Sequence, residues 1–450
     1  MKTALLALLS AVLLAAPGSA ADLSALAAAA ADRSPEATQA QAQGREARAG
    51  LSEARAGRLP RLSATSAFLR GNDPVYVFGS LLQQRSFGAQ NFAVDALNHP
   101  ADYNDIKTSL NAGVPLFTGF AISRAVEAGK LGVRQAGLGE DAARQGARWQ
   151  AVDDALRVLL DTETLSSLDA RIASAESELA EADRLKARGL VLGSDFYAAQ
   201  AVLGSLRAWR LQVQGDLDAR RAELSVLTGV PAEDLSVSGV LANAPYDVAA
   251  STALVAGALA ARPDLALAQV GVSQAELARR QADASVLPTV MAFGSLETNT
   301  KDFTDNPWSR LFGVQASLAF GDPGYPARRA RARAAQQAAE ASRLGAERRI
   351  LAQVAQARVG YEAALGMLPD LSDTVARARR SLVLFRPLYR EGRQSVLEVL
   401  RAEEGLAQAQ AAYAQALFGL HDGYARLLAA QGRLDAAGVA EIQRHLETSR

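Results

Sequence analysis

The chain has 450 residues, with 48 basic and 48 acidic side chains, a formal net charge of zero and no cysteine. The balanced charge argues against nucleic acid as a partner, because binding to nucleic acid depends on clustered positive charge. The absence of cysteine excludes disulfides, thiol catalysis, thiolate metal ligands and a lipid-modified N-terminal cysteine.

Residues 1–20 have the pattern of a secretory signal peptide. Lys2 precedes an apolar run that ends at Pro17, and the small residues Gly18-Ser19-Ala20 precede the expected cleavage site. The run is shorter than the roughly 20 apolar residues of a membrane-spanning helix, which makes an uncleaved signal anchor the weaker alternative. We therefore expect the mature chain to begin at Ala21, outside the cytoplasm.

The rest of the chain repeats one series of landmarks twice. Phe117 and Gly189 are 72 residues apart, as are Phe320 and Gly392. The stretch from the preceding Leu-Pro to the Phe is the exception, with 57 residues in the first copy and 32 in the second. One insertion of 25 residues in the first copy explains the whole difference. The predicted domains are a first repeat at 21–230, an equatorial linker at 231–262, a second repeat at 263–432 and a tail at 433–450.

Each repeat contains a predicted long helical hairpin, at 120–229 and 326–431. The segment 120–186 is rich in Ala, Leu, Arg, Glu and Gln, lacks proline, and repeats small apolar residues at spacings of three and four. A helix of that length measures roughly 100 Å at 1.5 Å per residue. In the second copy we expect Pro369 and Pro387 to bend or interrupt the corresponding helix. The Ala- and Leu-rich seams favour close coiled-coil packing, including packing with other chains.

Upstream of each hairpin the hydrophobic period changes to two, which predicts a strand pair at about 61–117 and another at about 289–320. One face of the last strand is apolar and is formed by Trp308, Phe312, Val314, Ala316, Leu318 and Phe320. The strands are long enough to cross a membrane. They are expected to be joined by polar loops that contain Asn72-Asp73-Pro74, Asn98-His99-Pro100 and Thr304-Asp305-Asn306-Pro307. Four strands cannot close a barrel, and open edges are not tolerated in hydrocarbon, so several chains must contribute to one barrel.

Several short motifs occur along the chain in a fixed order and spacing. They are Arg262-Pro263-Asp264, Leu287-Pro288, Pro115-Leu116-Phe117-Thr118-Gly119, and Arg188-Gly189-Leu190-Val191 followed by Asp195. With the signal peptide and the two repeats, they make the chain resemble the TolC family of outer membrane efflux proteins over almost all of its mature length.

The resemblance implies a mainly α fold with membrane β structure. Long antiparallel hairpins would form a trimeric α-barrel that crosses the periplasm, and four strands per chain would form a 12-stranded β-barrel within outer membrane lipid. It also implies a passive exit duct without a cofactor. Such a duct docks onto a periplasmic adaptor protein and an inner-membrane pump of the resistance-nodulation-division or ABC type.

The resemblance places a periplasmic gate at the hairpin tips. By position, the family's closing contacts fall on Asp195 in the first hairpin and on Tyr389 and Gln394 in the second. The family has a basic residue at the position of Gln394, so an ion pair is missing unless neighbouring Arg393 replaces it. A phenol that donates to a carboxylate is worth about 1.5–3 kcal/mol. The alternatives are that Asp195 caps its helix and that Tyr389 packs between helices.

Two further sets of tip residues follow from the same resemblance. Family members often carry two acidic positions that ring the channel entrance, and here these positions are Glu398 and Arg401. Three Glu398 side chains would favour cations, three Arg401 would oppose them, and an intrahelical Glu398–Arg401 pair is the alternative. The expected adaptor contacts, for which packing between protomers is the alternative, are Gly189, Leu190, Val191, Gly392, Val396 and Leu397.

The rival function is a secreted coiled-coil protein, such as a periplasmic adaptor or scaffold. It would keep the helical hairpins but would not need the amphipathic strands. An enzyme is not expected, because the three histidines show no ligand spacing and no nucleophile or phosphate-binding motif occurs.

Overall fold

The computed structural model describes residues 21–302 and 307–447, so the predicted signal peptide and most of the predicted 304–307 loop lie outside the described residues. Contacts divide the chain into two compact units. The first comprises residues up to Gln43, Ala136–Leu267 and the chain from Arg343, and the second comprises Gly44–Gln135 and Ala268–Ser342. Four of the helices contribute residues to both units.

The described chain is mainly helical, with one small sheet. The helices are α1 (Leu23–Arg33), α2 (Pro35–Ala56), α3 (Pro74–Gln83), α4 (Val94–Asn98), α5 (Ala121–Ala187), α6 (Gly193–Thr228), α7 (Ser251–Ala261), α8 (Pro263–Asp283), α9 (Tyr325–Arg390), α10 (Val396–Ala430) and α11 (Ala436–Glu447). The strands are β1 (Arg61–Gly71), β2 (Tyr103–Thr118), β3 (Thr289–Thr300) and β4 (Trp308–Ser317), and short 3-10 turns cover Ala89–Phe92 and Ala232–Asp234.

The predicted hairpin helices are confirmed to within a few residues at their ends. Helices α5 and α6 occupy the first hairpin, and α9 and α10 occupy the second. The prolines do not interrupt α9, which continues through Pro369 and Pro387, so that part of the prediction was wrong. A proline removes one helical hydrogen bond, but α9 also gains packing energy from side chains buried near these sites, Leu368 next to Pro369 and Tyr389 two residues after Pro387.

Two clusters of buried side chains form the core of the first unit. One joins α1, α5, α9, α10 and α11 around residues such as Leu156 and Leu420. The other joins α5 and α6 with the tip-proximal ends of α9 and α10, around residues such as Leu206 and Val399. The buried positions recur at spacings of three and four, as expected for helices that pack along one stripe.

An extended segment after α6 is anchored by aromatic contacts. The Tyr246 ring stacks on Tyr424 with 3.8 Å between the ring centroids, and the Tyr246 hydroxyl lies 2.6 Å from His421 Nδ1. His421 Nε2 lies 2.9 Å from the Ala242 carbonyl oxygen and therefore donates to it. Burial lowers the pKa of His421 to about 4, so this side chain is a neutral structural group at neutral pH. The predicted equatorial linker thus contains α7 and this anchored segment, and the predicted tail contains α11.

The sheet lies in the second unit and has the antiparallel order β1-β2-β3-β4. Its middle pair joins the two repeats, because β2 comes from the first and β3 from the second. Leu318 and Phe320 lie beyond β4, which ends at Ser317, so the predicted strand was too long. Gly321 adopts φ +69° just after it and begins the turn towards α9.

The two faces of the sheet differ in chemistry, as predicted. Directly paired residues share a face, and one face carries pairs such as Leu110 with Leu296. Phe312 on that face is 71% exposed in the single chain. The opposite face carries Ser109 opposite Glu297, and the Glu297 carboxylate forms a 3.0 Å ion pair with Lys107. This alternation of apolar and polar positions is typical of strands that separate lipid from water.

The connection between β1 and β2 is partly helical rather than a simple polar loop. It contains α3, the 3-10 turn and α4, and Asp73 caps α3 by accepting a 2.9 Å hydrogen bond from the Tyr76 amide. Among the described residues no single helix is both long and apolar enough to cross a membrane. Within the part of the chain that the structure describes, the adjoining helices α7 and α8 meet the required length and composition when taken together, but they are bent by 49° at their junction.

Candidate functional site

Both hairpin tips are formed by the same glycine-containing turn. Gly189 follows α5 with φ +74°, and Gly392 follows α9 with φ +72°. At each tip the glycine amide bonds to the carbonyl three residues back, and the next amide bonds to the carbonyl five residues back. This is the Schellman motif, which requires a left-handed residue and therefore favours glycine. The equal spacing of the two repeats therefore places the same glycine turn at both tips.

The helices that leave the two tips begin differently. Ser395 caps α10, and its hydroxyl accepts a 3.1 Å hydrogen bond from the Leu397 amide. Leu192 occupies the cap position of α6 and provides no side-chain hydrogen bond. Asp195 therefore does not cap its helix, although its carboxylate lies in the first turn, where the helix dipole favours negative charge. Glu398 lies at the equivalent place in α10.

Tyr389 is buried inside the first unit. Its side chain is 4% exposed and packs in the cluster that contains Phe196. Its hydroxyl has no hydrogen-bond partner among the described residues. Burial raises the pKa of Tyr389, and the nearby carboxylates of Glu178 and Glu181 raise it further, so the phenol remains a potential donor at neutral pH.

The sequence analysis missed a buried ionic cluster about one helical turn from Tyr389. Glu403 of α10 has no exposed surface, and its carboxylate accepts from Ser174 at 2.6 Å, Arg386 at 2.6 Å and Arg171 at 3.2 Å. Arg386 also lies 3.4 Å from the Glu178 carboxylate. The cluster joins α5, α9 and α10. A signal for it existed in the sequence, because Glu403 interrupts the apolar stripe of α10.

The remaining predicted gate and entrance residues lie near the surface. Arg393 pairs with the adjacent carboxylate of Glu391 at 3.4 Å, and the side chain of Gln394 is exposed. Glu398 and Arg401 form the intrahelical ion pair that was the alternative for them, at 2.9 Å. Such exposed pairs contribute about 0.3–0.5 kcal/mol in a helix, which leaves both groups able to exchange partners.

Some of the apolar tip residues are exposed to solvent, and others are buried in the core of the tip. Leu190 is 70% exposed, and so is Leu192, which the sequence analysis did not select. Val396 is 1% exposed and belongs to the tip core of the single chain, so packing rather than exposure describes it here, and its role as an adaptor contact stays a prediction. Val191 packs partly against the same core. Lys186 stabilises the first tip from the side, with its ammonium group 4.0 Å from the centre of the Phe196 ring.

The tips therefore have a rigid interior and a polar, exchangeable exterior. This arrangement can make and break contacts with other chains without unfolding its own core. Within residues 21–302 and 307–447, no group of three or more histidine or acidic side chains could hold a metal ion.

Comparison with solved structures supports the fold. The outer membrane channel CmeC of Campylobacter jejuni is 16% identical, with a TM-score of 0.80 over 95% of this chain and 90% of CmeC. The open state of the MtrE outer membrane channel of Neisseria gonorrhoeae is 19% identical, with a TM-score of 0.73 over 92% of this chain and 90% of MtrE. VceC, an outer membrane protein of Vibrio cholerae, is 18% identical, with a TM-score of 0.72 over 91% and 96%.

Sequence comparison identifies the family. No curated protein matches the chain significantly. The profile of the family described as outer membrane efflux protein matches residues 26–230 and 254–433, which is most of the chain. The predicted family and the predicted outer-membrane location are both confirmed: the chain belongs to the outer membrane efflux protein family.

Proposed function

We propose that the protein is the exit duct of a tripartite efflux or secretion system, a passive trimeric channel gated at its periplasmic tip. The observation that carries the proposal is the isolated four-stranded sheet, with one apolar face and one polar face. A sheet of this kind fits a barrel wall whose apolar side meets lipid and whose polar side meets water.

The edges of the sheet support assembly from several chains. Strands β1 and β4 each have only one neighbour in the described chain, so their outer backbone groups are unpaired within it. In hydrocarbon those groups must be paired. β1 and β4 run in opposite directions, so β4 of one copy can pair antiparallel with β1 of the next. Three copies would close a barrel of twelve strands, which exceeds the roughly eight at which spanning barrels begin.

Assembly can be tested directly in cells that express a tagged full-length chain. We expect the membrane fraction to yield a trimer that resists dissociation in detergent without heating and is trapped by a short cross-linker. A monomer in the periplasmic fraction would overturn the duct proposal and favour the coiled-coil scaffold.

The gate proposal rests on the free hydroxyl of Tyr389. The hydroxyl is buried within the single chain, so the gate contact requires the Tyr389 side chain to turn outward in the assembly. An acceptor from a neighbouring hairpin, such as the Asp195 carboxylate, would then satisfy the phenol and stabilise the closed tip. Tyr389→Phe removes only that donor. We expect the open fraction in single-channel recordings to rise at least tenfold, because the lost hydrogen bond contributes about 1.5 kcal/mol or more to closing.

The matched control for the gate is Tyr197→Phe. Tyr197 lies near the first tip, its side chain is exposed, and its ring is 4.8 Å from the Lys186 ammonium group. Its hydroxyl is not assigned to the gate, so the control should conduct like the wild type. Equal open fractions in Tyr389→Phe and wild type would leave Tyr389 with a packing role alone.

The exposed tip residues also suggest where partners dock. Leu190 follows Gly189 and is exposed, and Leu397 lies half-buried in the first turn of α10, so an adaptor that covers them would remove apolar surface from water. Cross-linking followed by mass spectrometry should recover a periplasmic adaptor and an inner-membrane pump. Leu190→Ser should weaken recovery of the adaptor without reducing the amount of trimer. Unchanged recovery would exclude Leu190 from the docking surface.

A further inference from the structure

The inserted connection between β1 and β2 folds back over the sheet. It joins Gly71 of β1 to Tyr103 of β2, the strand ends opposite to those that connect to α2 and α5, where a connection between strands could simply extend into water. Instead α3 contacts β2 and β3, and its residues Val77 and Ser80 are both buried. The insertion therefore builds a defined element, and the side of the sheet on which it lies determines what that element can do.

Contacts of Tyr76 place α3 on the polar face. The Tyr76 hydroxyl lies 3.0 Å from the Leu69 carbonyl oxygen and 3.2 Å from that of Tyr103. A Cβ atom on Gly71 would lie 3.9 Å from the Tyr76 ring. Gly71 pairs with Tyr103, and Thr65 pairs with Ser109. Tyr103 and Ser109 are an even number of residues apart in β2, so both pairs lie on the same, polar face of the sheet. The ring therefore covers the polar side of the strand ends.

Gln84 provides a second attachment on the same face. Its amide nitrogen donates to the Asp105 carboxylate at 2.9 Å and to the Asn104 carbonyl oxygen at 3.0 Å, and its amide oxygen accepts from the Tyr103 hydroxyl at 2.9 Å. Gln84 and Asp105 are both buried. Buried polar groups that satisfy each other define one position, so this attachment is specific rather than loose.

The element extends across the full width of the sheet. Arg85 has φ +52°, a conformation that is unusual for a residue with a Cβ atom, and its guanidinium donates to the Trp308 carbonyl oxygen at 3.1 Å on β4. Val75 and Leu82 of α3 are exposed, and Phe78, which is partly exposed, packs edge to face on Phe87 with 5.0 Å between the ring centroids. Apolar side chains at the end of a polar channel wall are typical of a constriction.

We propose that residues 74–85 form a strap that narrows the outer mouth of the duct and limits which solutes pass there. The inference rests on the proposed function, because it requires the polar face of the sheet to line a water-filled passage. The Tyr76 and Gln84 contacts hold the strap inward, and loss of these contacts widens the mouth.

The test uses the absence of native cysteine. Asn111 lies on the polar face, deeper in β2 than the strap contacts, and Asn111→Cys gives the full-length chain one reporter thiol. Intact cells receive either a small methanethiosulfonate or a bulky polyethylene glycol maleimide. The strap is released with Tyr76→Phe and Gln84→Ala together. The matched control is Gln83→Ala, because Gln83 is adjacent and exposed.

We expect the bulky reagent to label Cys-substituted Asn111 about tenfold faster after release, the change that loss of roughly 1.4 kcal/mol of hydrogen bonding produces. Gln83→Ala should not change the rate. Equal bulky-reagent rates in the released and control chains, with rapid labelling by the small reagent, would overturn the strap while leaving the duct intact. A reporter that resists even the small reagent would overturn the water-filled duct itself, and the strap with it.

Discussion

Removal of the negative charge of Glu403 should loosen the hairpin tip from within. The carboxylate accepts from three side chains while fully buried, and Glu403→Gln keeps its shape but not its charge. Breaking a buried ion pair costs about 3–5 kcal/mol. Arg171 and Arg386 keep part of their surface in water, and Arg386 keeps Glu178, so the low end applies. We therefore expect a loss of about 3 kcal/mol, or somewhat more than a hundredfold in the local opening equilibrium.

Hydrogen exchange measures this opening. The amides of α10 between Leu400 and Ala407 should exchange somewhat more than a hundredfold faster in the variant, while amides of α11 keep their rates. Glu404→Gln is the matched control, because the neighbouring side chain is only half-buried and accepts a single 3.5 Å hydrogen bond from Gln408. Similar acceleration in both variants, or none in Glu403→Gln, would refute the assigned role of the cluster.

Three further predictions concern stability. Gly392→Ala forces a Cβ atom into φ +72° and should lower the unfolding free energy by about 1–2 kcal/mol in chemical denaturation, whereas Gly405→Ala, within α10, should raise it by up to about 1 kcal/mol. The pKa of Asp422 is raised by burial from 3.8 to about 6, so its contribution to stability falls as pH rises through that range. As the pH rises from 4 to 6, the melting temperature of Asp422→Asn should therefore rise relative to that of the wild type, whereas that of the surface variant Asp218→Asn should not. A melting-temperature difference between Asp422→Asn and wild type that stays constant over this pH range would contradict the raised pKa. Tyr246→Phe leaves His421 without its 2.6 Å partner and should cost about 1 kcal/mol in the same denaturation assay, with no loss if the contact is dispensable.

Much of the fold could be predicted because its signals are local. The hairpin helices follow from composition and from spacings of three and four, and their ends follow from Gly189 and Gly392. The strand pairs follow from a period of two. These patterns depend only on neighbouring residues. Continuity through Pro369 could not be predicted in this way, because it depends on the packing of Leu368 against residues that are distant in sequence.

The missed parts of the site depend on contacts between distant residues. Arg171 and Arg386 meet Glu403 across separations of 232 and 17 residues, and Tyr246 meets His421 across 175. A charged residue within an apolar stripe indicates that a partner exists but not which one. Tyr389 could be selected by the resemblance alone, and its lack of a partner became visible only with the structure.

The arrangement of the tip restricts how the duct could open. The Glu403 cluster joins α5, α9 and α10 of one chain through contacts that are buried and strong. The candidate gate groups, Asp195 and the hydroxyl of Tyr389, have no comparable attachment within the chain. If the tip opens as proposed, the weaker contacts break first, so the three helices move together and the separation occurs between chains. A Glu403→Gln channel should then open through disorder within a chain, and its hydrogen exchange would differ from that of Tyr389→Phe even at equal conductance.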